Sequence, residues 1–252
     1  MKEQRVDIMM MTYGRLDYTK KTLDSLLKNT SWPYRLVVTD NCSVDGTREY
    51  LEECLRKGHI QELILEAENP GNAVGKNLEL QRATTPYVCL LDNDMYLEQD
   101  WLRRPMEAMQ HFANERLVLM SPWPIWLFGP NTKIGELKSK HHDGVFLTRK
   151  LSGQVWIGVR KVLLKCGGFE VPKDKRFMGF FASPLSKKLV KAGYRIGCIA
   201  DAILAVSMDR EGSPMRVKNE MLTAYREWNR LQKNKHQTLS DFHVWWGERK
   251  RK

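Results

Sequence analysis

The chain has 252 residues, of which 42% are hydrophobic and 28% charged; it can bury one sizeable core and is too apolar for a disordered polymer. No apolar run approaches the roughly 20 residues that cross a bilayer, and five scattered cysteines without metal-ligand spacing exclude a dense disulfide framework or a zinc-binding pattern. Lys and Arg number 41 against 30 Asp and Glu, and the resulting charge of +11 points to a negative partner: nucleotide phosphates, nucleic acid, an anionic polymer or a membrane surface.

The opening stretch "MKEQRVDIMMMTYGR" carries no signal-peptide cleavage pattern. With an odd number of cysteines, a reduced, cytoplasmic setting is expected, with peripheral contact at a membrane surface left open. "VDIMMMT" (6–12) reads as a strand, followed by a helix from about Asp17 to Lys28 with Leu23, Leu26 and Leu27 on its inner face. "RLVVTD" (35–40) is a second strand. It enters the turn "NCSVDG" and a helix over about 47–57 with Leu51, Cys54 and Leu55 inward. "ELILEA" (62–67), a helix over about 73–82 and the strand "YVCLL" (87–91) complete the regular half. Such alternation predicts an α/β fold with a mostly parallel, doubly wound sheet flanked by helices, and ligands beyond the carboxyl ends of the strands.

The second half is less regular. "SPWPIWLFGPN" (121–131) reads as loop or edge and "KIGELKSKHHDG" (133–144) as a polar, basic loop. "GQVWIGVRKVLLKCGGF" (153–169) starts as a strand and ends as a short helix stopped by Gly167 and Gly168. A helix over Ser186 to Ala192, the strand "YRIGCIA", a helix over about 217–234 and the basic tail "DFHVWWGERKRK" follow. No linker divides the chain. One domain over 1–252 is expected, with a nucleotide-binding half to about residue 100, an acceptor half over about 101–215, and a terminal helix and tail over about 216–252.

Asp92 and Asp94, with only Asn93 between them, end a buried strand. Two carboxylates that close repel each other unless a cation or several donors accompany them. Mg²⁺ and Mn²⁺ prefer oxygen ligands and are commonly held by one or two carboxylates plus substrate phosphates. Alternate residues of an extended segment point the same way, so both carboxylates can face one ligand. The alternative is an N-cap, with Asn93 or Asp94 starting a helix near Glu98. Asp40 ends another strand of the same half, where a carboxylate can accept N–H groups of a nucleobase. "NPGNAVGKN" (69–77) is one residue short of a phosphate loop and has Asn77 in place of Ser or Thr, which excludes that ATPase motif. Lys76 can still reach a diphosphate in the crevice, or can be an ordinary helix lysine.

Together these segments resemble glycosyltransferase family 2, enzymes of GT-A fold that use nucleotide sugars. The resemblance rests on the opening strand into Thr12-Tyr13-Gly14-Arg15, on "DNCSVDGT" (40–47) and on "NPGNAVGKNLELQRATTPYVCLLDND" (69–94), in order over about residues 5–100, with "GGF" (167–169) and "KAGYRI" (191–196) further on. It implies that Thr12, Tyr13 and Arg15 line the nucleotide pocket, that Asp40 holds the base and that Lys76 approaches the diphosphate. Asp92 would contact ribose or metal, and Asp94 would ligate Mn²⁺ or Mg²⁺, whose charge would offset the paired carboxylates.

Two departures stand out. Inverting members of the family place a Glu-Asp pair about a dozen residues after "GGF", whose Asp takes the acceptor proton; here "RFMGFFASPLSKKL" has Phe180 and Phe181 at that point. Asp174, Asp143 and Asp209 are substitute bases, with Asp174 the candidate preferred. A mechanism without a dedicated base and a catalytically silent protein are the other two outcomes. Where the family often supplies a His metal ligand, this chain reads "AVSMDREG", and Asp209 is the available oxygen donor. For the acceptor side, Trp156, Trp123 and Trp126 offer stacking surface and His142, beside His141, a polar contact. Basic residues at Lys133, Lys138, Lys140, Arg149 and Lys150 fit a polyanionic acceptor such as modified DNA. A glycan or lipid precursor at a membrane surface fits the aromatic, basic tail. The expected activity is metal-dependent transfer of a hexose or pentose from a nucleoside diphosphate sugar; a silent nucleic-acid-binding module of the same fold and a nucleotidyltransferase are the alternatives.

Overall fold

A computed structural model of the chain describes residues 4–122, 133–139, 142–149, 151, 154–171, 182–199 and 204–208. The chain divides into two compact units, Met1–Val206 and Ser207–Lys252, and every element named here belongs to the first. The expected helix over 217–234, the basic tail, and Trp123, Trp126, Lys140, His141, Lys150, Asp174, Phe180, Phe181 and Asp209 lie outside the described residues.

The order of elements begins β1 (Val6–Thr12), α1 (Leu16–Asn29), β2 (Tyr34–Asp40), α2 (Thr47–Arg56), β3 (Glu62–Leu65), α3 (Asn72–Arg82), β4 (Tyr87–Asp92) and β5 (Met95–Leu97). It continues with α4 (Arg103–His111), β6 (Leu117–Ser121), β7 (Lys133–Ser139), β8 (His142–Thr148), β9 (Val155–Val159), α5 (Arg160–Lys165), α6 (Ala182–Lys191) and β10 (Arg195–Ile199). Nine strands form one mixed, mostly parallel sheet in the order β3-β2-β1-β4-β9-β6-β10-β8-β7. β3, β2, β1 and β4 run parallel, as do β6 and β10. β9 lies antiparallel between β4 and β6, and the β7–β8 hairpin adds antiparallel strands beside β10.

Strand periodicity sorts the core onto two faces. Val6, Ile8 and Met10 of β1 point to the face covered by Leu23 and Leu26 of α1, Leu51 and Cys54 of α2, and Met106 and Met109 of α4. Met9, Val37, Val88 and Leu90 point to the other face, with Ala73 and Leu80 of α3, Leu163 of α5, and Leu185 and Leu189 of α6. Each fully buried Leu contributes about 1.5–3 kcal/mol from removal of apolar area. The chain winds outward from β1 to β3 under α1 and α2, then α3 carries it back across the opposite face to β4. The switch point therefore falls between β1 and β4, where open α/β sheets leave a crevice at the carboxyl ends.

Three sequence expectations differ from the structure. Leu27 and Leu55 are more than a third exposed. α1 turns instead a polar stripe of buried Thr19, Thr22 and Ser25 toward the segment after β4. The stretch 133–144 is no loop but β7 and the start of β8: Leu137 is buried and backbone pairing at the sheet edge leaves the remaining side chains free to be polar. No helix starts at Asn93 or Asp94, because β5 follows them directly. Among the described residues no helix is long and apolar enough to cross a membrane.

Candidate active site

The strand register puts the expected residues side by side. Thr12 stands opposite Asp40 in the β1–β2 ladder, and Met11 opposite Asp92 in the β1–β4 ladder. Asp40, Thr12 and Asp92 thus end three adjacent strands around the switch point.

Two loops over that edge are tied together by side chains. Gly14 and Arg15 both adopt positive φ, at 61° and 65°. The left-handed conformation costs a non-glycine residue about 1 kcal/mol, and it turns the chain sharply from β1 into α1. Ser43 Oγ accepts from Gly14 N at 2.7 Å, and Asp45 accepts from Leu16 N at 3.1 Å while capping Thr47 through both its amide and hydroxyl. Burial alone would raise the Asp45 carboxyl, but bonds from Thr47 and Leu16 hold it below the usual carboxylate range.

Asp40 is fully buried. It accepts from Thr12 Oγ1 at 3.1 Å and from Ser43 Oγ through Oδ1, and from Ser43 N at 3.0 Å and Arg48 Nε at 3.2 Å through Oδ2. A carboxylate offers about four lone-pair sites, and all four are taken by the protein. Within the protein this carboxylate builds the turn and holds the Arg48 contact. Arg48 was missed from sequence, although its place eight residues after Asp40, in the first turn of the following helix, is one from which it can reach back to the strand end.

Each carboxylate of the Asp92–Asp94 pair has its own cation. Lys76 Nζ lies 2.7 Å from Asp92 Oδ1, and Arg15 Nη1 lies 3.0 Å from Asp94 Oδ2. The Lys76 side chain is 3% exposed and Asp94 4%, while Asp92 at 22% and Arg15 at 32% remain open to solvent. Lys76 is therefore enclosed, and its ammonium is paired with Asp92. Burial pulls the Lys76 ammonium down, but the charges of Asp92 and then Glu79 outweigh it and hold its pKa above the usual lysine value. Asp94 sits in the tight turn between β4 and β5, not in an extended segment. Arg15 also stacks over the Tyr18 ring, 4.5 Å from its centre.

Asn93 fixes this turn. Its Nδ2 donates to Gly14 O at 3.1 Å and to Thr19 Oγ1 at 2.9 Å, and Thr22 Oγ1 donates to Asn93 O at 2.8 Å. The polar stripe of α1 thereby locks the carboxylate turn against the β1–α1 loop. Its signal, Thr and Ser at helical spacing of three, is visible in "TKKTLDS" (19–25) once the period is sought.

Behind the site, Gly75 permits close packing of α3 on β1: a Cβ there would lie 2.5 Å from Met11 Sδ. Glu79, one helical turn beyond Lys76, is fully buried and neither carboxyl oxygen has a hydrogen-bond partner. Burial, opposed by Lys76 and reinforced by Asp92, pushes its pKa up to about 8. Asn77 clamps the "GGF" turn, donating to Phe169 O and accepting from Phe169 N, both at 2.8 Å.

Of the remaining expectations, Tyr13 is half exposed. Trp156 is 1% exposed and packs on Phe169 with ring centres 5.2 Å apart, so it is core and not an acceptor wall. His142 opens β8, and its side chain lies outside the described residues, as do Asp174 and Asp209. Among the described residues no cluster of three His, Cys, Asp or Glu side chains could hold a metal. The donors present nonetheless suit a hard divalent cation: two carboxylates on one turn, oxygen ligands alone, with phosphates left to complete the shell.

Comparison with known proteins places this geometry in context. Residues 7–118 match the model of glycosyl transferase family 2. The chain is 32% identical over 104 residues to the putative teichuronic acid biosynthesis glycosyltransferase TuaG of Bacillus subtilis, covering 41% of each protein. The chain spans less than half the length of the first curated relatives it matches. Its fold is that of the mannosyltransferase PcManGT from Pyrobaculum calidifontis, solved with GDP-Man and Mn²⁺, with TM-score 0.63 and 19% identity over 93% of this chain and 66% of that one. It also superposes on S. aureus TarS 1–349 in complex with UDP-GlcNAc, with TM-score 0.57 and 17% identity over 94% of this chain and 69% of that one. Both likenesses concern the GT-A fold.

Proposed function

Residues 7–118 belong to glycosyl transferase family 2, and from that premise we propose that the protein moves a sugar from a nucleoside diphosphate sugar to an anionic acceptor, using Mn²⁺ or Mg²⁺. The observation that carries the proposal is the meeting of Asp92, Asp94 and Arg15 beside Thr12 and Asp40 at the switch point of the sheet, a constellation that packing alone does not require. Asp92 and Asp94 would hold the cation; when bound it supplies Lewis-acid stabilisation of the departing diphosphate. Arg15 brings a partly exposed guanidinium to the same edge, where phosphate oxygens are its natural partners. Lys76 acts from behind, holding Asp92 in position. Asn93 keeps the carboxylate turn rigid against the loop that carries Arg15. Asp174 is the proposed acceptor of the proton from the attacking hydroxyl.

The acceptor reading joins the +11 charge to what the relatives' names say they make or modify, teichuronic acid for TuaG and poly(ribitol-phosphate) for TarS. Both are anionic polymers, and a basic protein concentrates near such a chain. The test is transfer of labelled sugar from a panel of nucleotide sugars onto poly(ribitol-phosphate), duplex DNA and a neutral glycan. Label on the anionic glycopolymer in Asp174→Asn as strong as in the wild type would remove Asp174 from the mechanism. Label on none of the acceptors, with donor still bound, would overturn the acceptor proposal.

A further inference from the structure

The two cations that accompany Asp92 and Asp94 differ in freedom. The Lys76 side chain is 3% exposed, whereas Arg15 is 32% exposed and reaches Asp94 Oδ2 through Nη1 at 3.0 Å. The backbone of Arg15 is fixed: its carbonyl accepts from Tyr18 N and Thr19 N, both at 3.0 Å, and the preceding Gly14 is held by Ser43 and Asn93. Only the side chain can change partners, and the Tyr18 ring, 4.5 Å from the guanidinium carbon, supports it on one face. The Asp94 side chain is 4% exposed, with the guanidinium lying against Oδ2. Two positive charges on one carboxylate oxygen repel strongly where water is largely excluded. That oxygen therefore serves either Arg15 or a divalent cation at one time.

We propose that Arg15 is a counter-ion latch: it neutralises Asp94 in the empty crevice and releases that carboxylate to a divalent cation when a diphosphate takes the guanidinium. The proposal rests on the reading of the chain as a metal-using nucleotide-sugar enzyme. A guanidinium suits a phosphate edge as well as a carboxylate edge, so the exchange replaces one charge-assisted contact by another. Without a phosphate to receive it, Arg15 must be displaced into solvent, and the cation's affinity falls by the strength of the pair. Cation and nucleotide therefore favour each other's binding, by the same factor in both directions. Enclosed Lys76 keeps Asp92 neutralised throughout.

The test is the dissociation constant of Mn²⁺ alone, read from the spin resonance of the free ion, and those of UDP and GDP with and without Mn²⁺. Wild type, Arg15→Gln, Arg15→Gln/Asp94→Asn and Lys20→Gln are compared; exposed Lys20 of α1 stands over the Tyr50 ring at 5.5 Å and serves as the charge control. Arg15→Gln should bind Mn²⁺ about tenfold more tightly than the wild type, as loss of a competing charge-assisted contact implies. Adding Asp94→Asn should remove that gain, and Lys20→Gln should show none. The factor by which Mn²⁺ tightens nucleotide binding should fall by about tenfold in Arg15→Gln. Partial unfolding weakens binding and does not imitate a gain. Mn²⁺ bound no more tightly by Arg15→Gln, a gain that Lys20→Gln reproduces or that survives Asp94→Asn, or wild-type nucleotide binding indifferent to Mn²⁺ overturns the latch. Nucleotide binding by the wild type leaves the donor reading standing in each of those cases. A wild type that binds neither nucleotide, with or without Mn²⁺, overturns both.

Discussion

Lys76 and Asp92 form an ion pair of 2.7 Å in which the ammonium is enclosed and the carboxylate faces the crevice. The asymmetry assigns their roles. In the proposed function Asp92 meets the ligand, and Lys76 fixes where Asp92 stands while lowering the cost of placing a second carboxylate close by. Removing one partner of a buried pair leaves an uncompensated charge, which typically costs about 3–5 kcal/mol. Lys76→Met should therefore lower stability by about 3 kcal/mol, the smaller end because Asp92 is partly solvated. Urea unfolding would show it, and an unchanged midpoint would remove Lys76 from this role.

Glu79 lies behind the same pair with its proton retained to about pH 8. The ordinary value of 4.5 applies once the chain unfolds. Between these values the native protein binds more protons than the unfolded chain, so stability falls as pH rises from about 4.5 to about 8 and is fullest below that window. The effect is on the order of a few kcal/mol. Glu79→Gln keeps the shape without the ionisation and should unfold at similar urea concentrations to the wild type near pH 5 but be clearly more stable near pH 8. Parallel profiles for the two proteins would contradict the assignment.

Asp7 anchors the opposite end of β1. It is fully buried, paired with Arg35 through Nε at 3.0 Å and Nη2 at 2.9 Å, and it accepts from the amides of Thr84 and Thr85. Burial pushes the carboxyl up, but Arg35 and these amides prevail and hold it below its ordinary value of 3.8. Its stabilisation is present above that pH and lost as pH falls through the depressed value. Asp7→Asn should cost about 3 kcal/mol at neutral pH, converge with the wild type in acid, and leave nucleotide binding unchanged in the folded fraction. Calorimetric scans from pH 3 to 7 would check the first two points.

Gly168 sits at φ 61°, and a Cβ added there would lie 2.4 Å from Asn77 Oδ1. Gly168→Ala must therefore break the clamp that holds Phe169 on α3 as well as strain the backbone. A loss of about 1–3 kcal/mol is expected from strain at such a position. Gly167→Ala meets no neighbouring atom and carries only the positive-φ penalty, so it should be the milder of the two. Equal Tm values for both variants would contradict the packing argument.

Much of the first half was legible in the sequence because its signals are local. Strands of 4–7 residues end in Asp or lead into Gly-containing turns, and the alternation of β1 to β4 with α1 to α3 follows from periodicity alone. The carboxylate turn could be found for the same reason. What escaped depends on partners distant in sequence. Nothing near Trp156 shows that β9 runs antiparallel between β4 and β6 and buries its indole. "KIGELKSK" hides a strand because an edge hairpin is held by backbone pairing and needs few apolar side chains. The partners of Asp40, namely Thr12, Ser43 and Arg48, come together only in the fold. The exposure of Leu27 follows from the polar stripe of α1, whose partners lie about 70 residues further on.

In the proposed function Asp94 and its neighbours bind a nucleoside diphosphate sugar together with a divalent cation. The most direct measurement is the Tm of the wild type and Asp94→Asn against UDP-, GDP- and CDP-sugars, with and without Mn²⁺. A ligand that binds only the native state adds about 2.7 kcal/mol at a hundredfold excess over Kd, a shift of several degrees for a chain of this size. Such a rise is expected for at least one nucleotide family, dependent on Mn²⁺ and abolished in Asp94→Asn. A rise of equal size in Asp94→Asn, or none for any nucleotide sugar in the wild type, would contradict it.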